Sequence, residues 1–177
     1  SSAWMVFNEK LNHIRDIVSF TAERESIQDA IARKEEDILH RYLARVRMQR
    51  ELDILTLTDS TGKVIVRTRN PEIEGDDQSR DVIIKKALNG GNFASSQIVS
   101  REELLKEGED LVDRAYMEFV PTPKAAPRPE DKEINGMMLK AASSVEDDKG
   151  NILGVLYGGI LVNRDFTIVD RVKELVY

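Results

Sequence analysis

The first glycine in this chain is Gly62 and the first proline is Pro71. The opening 61 residues therefore lack both of the residues that most often interrupt a helix. Within that run Leu11, Ile14 and Val18 follow three-to-four spacing, as do Ile27 and Ile31, and later Ile38, Tyr42 and Val46. Lys, Arg and Glu crowd the positions between them. The pattern predicts one long amphipathic helix from residue 4 to about 50, or two helices with a break near "SFTAERES". A single rod of that length spans roughly 65–70 Å, against about 40 Å for a compact domain of this size. It must protrude from the domain, or lie along it and run past. Two uses for its apolar stripe are open: packing on a sheet, or pairing with a second copy into a homodimer.

After residue 50 the apolar period changes from three-to-four to two. "LDILTLTD" and "KVIVRT" flank "STG", which reads as a β-hairpin. "RNPEIEGDD" is a turn-rich loop, and "SRDVIIKKALNGG" a helix capped by Ser79 and stopped at Gly90 or Gly91. "NFASSQIVS" is a short strand, "REELLKEGED" a helical turn and "LVDRAYMEFVP" a further strand. "PTPKAAPRPEDKEI" holds four of the five prolines and reads as a surface loop. "GMMLKAASSVED" and "ILGVLYGGILV" are strands joined by a "DKGN" turn, and "RDFTIVDRVKELVY" closes the chain as a helix. The order is a long helix, two strands, a short helical section over 79–110, three strands and a short helix. With its consecutive hairpins this order predicts an antiparallel five-stranded sheet with the helices on one face, hence an α+β fold. Three segments follow: the long helix over 1–50, the sheet over 51–165 and the last helix over 166–177.

The net charge of −6, with acids and bases interspersed, argues against a nucleic-acid partner. The absence of cysteine excludes disulfides, thiolate metal sites and cysteine nucleophiles. His13 and His40 have no ligating partner at helical spacing, so no metal and no haem are expected. No nucleophile elbow, phosphate loop or zinc-protease motif is present, and no catalytic residue is assigned. The acidic clusters, Asp76-Asp77 among them, read as solvated surface.

Cations at strand positions carry more information. Alternation puts Arg67 on a face with Ile65 and Arg69, Lys140 with Met138 and Ala142, and Tyr157 with Val155 and Gly159. An unpaired ammonium costs several kcal/mol to bury, so Lys140 either meets water on an open face or lines a pocket that receives an anion. Gly154, Gly158 and Gly159 leave room beside Tyr157, for a ligand or for a packed helix.

These segments together resemble a known family. "LTLTDSTGKVIVRTRNPEIEGDD" is similar to the opening of single Cache domains, and "GMMLKAASSVEDDKGNILGVLYGGILVNRDFTIVDRVKELVY" to their close. The likeness covers about 52–100 and 136–177, with the proline-rich insert departing from the simplest pattern. It implies a PAS-like sheet outside the cytoplasmic membrane of a prokaryote, with flanking spans at either end. It also implies a sensor for a histidine kinase, a chemoreceptor or a cyclase. In citrate and dicarboxylate sensor kinases an "R-x-x-H-P" segment holds the ligand carboxylate, and "RTRNP" puts Arg67 and Asn70 on those positions. Lys140 falls where those kinases carry an arginine, and Tyr157 where they carry a serine. Tyr116, Arg114, Met138 and Phe119 are further wall candidates. Asn70 is neutral and Ala142 replaces a second basic residue, so the resemblance implies a monocarboxylate such as acetate or propionate. A structural or protein-binding module without a ligand is the other function carried forward.

Overall fold

Two residues held in the left-handed backbone region decide the shape of the N-terminal half. The computed structural model describes residues 2–119 and 135–162. The predicted rod is three helices: α1 (Ser2–Ala22), α2 (Glu25–Ala32) and α3 (Glu36–Gln49). The first break falls at Glu23–Arg24, inside "SFTAERES" as expected. The second was not expected. Lys34 has φ +57°, its N–H bonds Ile31 O, and Glu35 N–H bonds Ala30 O, which together make a Schellman stop. Glu51, at φ +56°, ends α3 in the same way, with Leu52 N–H on Arg47 O. Glycine usually fills this position, and here lysine and glutamate do. The helices therefore fold back rather than project as one rod.

The sheet contains β1 (Ile54–Asp59), β2 (Val64–Arg67), β3 (Asn92–Val99), β4 (Gly136–Glu146) and β5 (Ile152–Leu161). The order is β2-β1-β5-β4-β3, and every neighbouring pair is antiparallel. The α+β class and the five-stranded sheet are as the periodicity predicts. Helices cover both faces, however, not one. On the first face α1 crosses β3, β4 and β5 while α3 lies against β1 and β2. Ile14, Val18 and Leu43 there pack with Leu55, Leu139 and Leu156. Ile14 and Val18 thus lie against the sheet, the first of the two uses open to the α1 stripe.

The second face carries α4 (Val82–Ala87), α5 (Arg101–Glu107) and α6 (Glu109–Phe119). Ile84, Leu104, Leu111 and Ala115 pack there against Met138, Val155 and Tyr157. The strand expected over 111–121 is α6 instead. Leu111, Val112 and Ala115 are buried while Asp113 is exposed, which fits a helical face. A strand would have set Asp113 beside Leu111 and Ala115 in the core. The cap of α4 is Asp81, not Ser79, since Asp81 Oδ1 accepts from Ile83 and Ile84 N–H. The proline-rich loop and the C-terminal helix expected at 166–177 lie outside the described residues.

Candidate functional site

Strand register assembles a row of side chains on the second face. Arg67, Thr56, Tyr157 and Ala142 are successive partners across β2, β1, β5 and β4. Two residues along each strand, Ile54, Gly159, Lys140 and Ser95 form the next row. Period-two alternation thus places Lys140 with Met138 and Ala142, as read from the sequence. Arg67 does not share its face with Ile65. The β1–β2 register slips between Leu57 and Thr58, leaving Ile65 as the extra residue of a bulge that packs toward the first face.

Arg67 is 1% exposed, so its guanidinium must find partners inside the protein. Its Nη1 and Nη2 donate to Asp76 Oδ1 and Oδ2 at 2.8 and 3.0 Å, a bidentate pair. Nη1 also donates to the Ile73 carbonyl at 2.8 Å. Nε lies 3.1 Å from Glu107 Oε2, an ion-pair contact without an aligned hydrogen bond. Glu107 is held further by the Tyr157 hydroxyl, donating to Oε1 at 2.6 Å, and by Thr56 Oγ1, donating to Oε2 at 2.9 Å. Burial opposes the charge on Asp76, yet hydrogen bonds from Arg67 and Gln78 outweigh it and hold the carboxyl at about 2. Burial and the neighbouring Glu107 push the Tyr157 hydroxyl well above its usual range, so it stays a donor. Asp76 is therefore not the solvated surface acid expected from its cluster.

Lys140 lies at the other end of Tyr157. Its Nζ sits 4.6 Å from the ring centroid and donates to Asp81 Oδ2 at 2.8 Å. Asp81 also accepts from the first N–H groups of α4 and from Gln97 Nε2 at 3.3 Å. Burial raises its carboxyl, but Lys140 together with the Ile84 N–H and Gln97 outweighs it and the net shift is downward. A cleft of about 590 Å³ opens over this pair, bounded by Gln78, Gln97, Glu103 and Lys106. A polar chain runs from the cleft inward: Lys106 donates to Glu103, Gln78 to both Glu103 and Asp76, and Arg67 to Asp76. Each of the three cations, Arg67, Lys106 and Lys140, already faces a carboxylate of this chain. The arrangement can hold a ligand by exchanging partners; Lys140, at the cleft wall, is placed to do so, and Arg67 is sealed beneath it.

The structure thus brings together Arg67, Tyr157 and Lys140 of the residues expected at the site. Asn70 is elsewhere, donating through Nδ2 to the Lys106 and Leu105 carbonyls at the end of α5. Arg114 ion-pairs with Asp53 at the start of β1. Met138 is core, and the side chains of Tyr116 and Phe119 lie outside the described ones. Sequence reading missed Asp76, Asp81, Glu103 and Glu107. Only Asp81 carried a local signal, as an aspartate directly before "VII".

The glycines of β5 do not open a ligand pocket. A Cβ on Gly154 would stand 2.0 Å from the Thr58 carbonyl oxygen, and one on Gly159 2.7 Å from the Leu139 carbonyl oxygen. One on Gly158 would press on Val18 and Leu55 at 3.2 and 3.1 Å. They permit close approach of strands and, at Gly158, of α1, the second of the two uses expected for them.

No family model matches the chain, and no curated protein matches it by sequence. Solved structures do match it. The Escherichia coli DcuS sensor domain aligns with TM-score 0.61 and 15% identity, over 94% of this chain and 98% of that one. The Vibrio cholerae histidine kinase DctB sensor domain gives 0.59 and 16%, over 93% and 54%. The Vibrio cholerae LuxQ periplasmic domain gives 0.55 and 16%, over 97% and 66%. The fold is that of these sensor domains. The chain spans nearly all of the DcuS domain but only about half of the DctB one. Among the described residues no group of histidines and acids is set to hold a metal, and no helix is long and apolar enough to cross a membrane.

Proposed function

We propose that this chain is the extracytoplasmic sensor domain of a transmembrane signal-transduction receptor, and that it binds a small carboxylate at Lys140. The fold shared with the DcuS, DctB and LuxQ domains supports the sensor reading. The observation that carries the ligand reading is the Lys140–Asp81 pair in the wall of the cleft, with Lys140 also stacked over the buried Tyr157 ring. An incoming carboxylate takes Lys140 from Asp81, and Asp81 keeps the α4 N–H groups and Gln97 as partners. Arg80, Lys106 and Lys140 line the cleft, with Lys106 held by Glu103. A ligand that displaces Asp81 from Lys140 alone needs a single carboxylate, which suits a monocarboxylate such as acetate or propionate. The domain reports occupancy and turns nothing over.

The output follows the sheet. Lys140 is on β4, and the opposite face of β4 carries α1. A ligand that binds two arrangements of β4 and α4 unequally shifts the population between them, and moves α1 by roughly 1–2 Å. Calorimetric titration with acetate and propionate tests the reading. A charge-assisted contact of about 1.5–3 kcal/mol predicts that Lys140→Met weakens binding about tenfold to a hundredfold. Unchanged affinity in that variant removes Lys140 from the site. No binding by the parent protein leaves the protein-binding module as the better account.

A further inference from the structure

A second crease lies on the opposite side of the sheet, between the C-terminal half of α1 and α3. It encloses about 530 Å³, within the range of small-molecule sites. Its charge differs from that of the cleft. Arg24, Arg45 and Arg50 line it against a single acid, Asp16, an excess of two positive charges on a chain of net charge −6. The cleft over Lys140 has the reverse balance, with Asp77, Asp81, Glu102 and Glu103 against Arg80, Lys106 and Lys140. Arg67, Arg69, Arg114, Lys106 and Lys140 all face carboxylates. Among the described residues the three arginines of the crease do not. Arg24 instead stands over the Tyr42 ring, its guanidinium carbon 6.0 Å from the centroid. Phe20, 64% exposed, forms the other aromatic wall.

Guanidinium groups bind planar oxyanions through paired N–H donors, and exposed aromatic faces favour a flat apolar body. We propose that this crease is a binding site for an aromatic organic anion, its phosphate or carboxylate group held by Arg24, Arg45 and Arg50 and its ring between Phe20 and Tyr42. The site is independent of the cleft over Lys140: it lies on the other face of the sheet and calls for a larger, flatter ligand.

Titration of the whole chain with phenyl phosphate, followed by NMR shifts of the α1 and α3 amides, tests it. Saturable one-to-one binding is expected, tighter than that of inorganic phosphate. The exposed-residue variant Arg45→Gln/Arg50→Gln should weaken it at least tenfold and Phe20→Ala several-fold, while Lys140→Met leaves it unchanged. Absence of saturation, equal affinity for inorganic phosphate, or insensitivity to the arginine pair overturns the proposal. Loss of binding in Lys140→Met overturns it too, by placing the anion in the cleft.

Discussion

Asp76 and Arg67 show how single residues set the conditions under which this fold survives. Asp76 is held at about 2 in the folded protein, against about 3.9 in an unfolded chain. The folded value is the lower one, so its contribution is complete above about pH 4 and is lost as pH falls toward 2. We expect about 2 kcal/mol from this group. Urea unfolding from pH 7 to 2 should show Asp76→Asn less stable than the parent at neutral pH, with the gap closing in acid. Arg67→Ala leaves both Asp76 and Glu107 without their cation and should cost about 3–5 kcal/mol. A loss below about 1 kcal/mol in thermal unfolding would show that the buried network contributes little. Register across four strands put Arg67, Tyr157 and Lys140 on one face. The face-mates of Lys140 and Tyr157 within their own strands were legible, because residue alternation in a strand needs no knowledge of the rest of the chain. Their partners were not. Asp81 reaches Lys140 and Glu107 reaches Tyr157 across 59 and 50 residues, distances over which no periodicity speaks.

At the scale of elements, Lys34 and Glu51 explain why one long helix was expected where three exist. Both occupy left-handed backbone positions that end a helix, at a cost of roughly 1 kcal/mol for a residue with a side chain. Lys34→Gly and Glu51→Gly should each stabilise the protein by about 0.5–1 kcal/mol, read as a higher urea midpoint at unchanged slope. Destabilisation would mean that the side chains, not the backbone, hold these stops. Helix α6 was mistaken for a strand for a related reason. "LVDRAYMEFV" is rich in residues that suit strands, and only the exposure of Asp113 between buried Val112 and Ala115 reveals the helical face.

For the whole molecule, the decisive feature is that β5 lies in the centre of the sheet although it is the last described strand. It pairs with β1, about 100 residues earlier, and with β4 beside it in sequence. Gly154 and Gly159 let these neighbours approach closer than any side chain allows. A chain ending at residue 149 lacks β5 and splits the sheet into two unconnected pairs, β1–β2 and β3–β4. Such a chain should show no cooperative thermal transition, and a sharp one would mean that the two layers of helices suffice without the central strand. The same topology puts Lys140 on one face of β4 and α1 on the other, so that a contact in the cleft lies one strand's thickness from the N-terminal helix.

The sequence by itself determined where the five strands and their turns fall, which residues of β4 and β5 share a face, and that the first fifty residues are helical, though it added a strand where α6 lies. These follow from local periods and from glycine and proline, which act over a few residues. Tertiary structure alone decided that helices cover both faces, that the glycines of β5 close the sheet rather than open a pocket, and that buried cations meet acids of their own chain. Each of those outcomes depends on which distant segments are brought within a few ångströms, and burial then enforces the pairing because an unmatched charge in the interior costs more than the fold can bear.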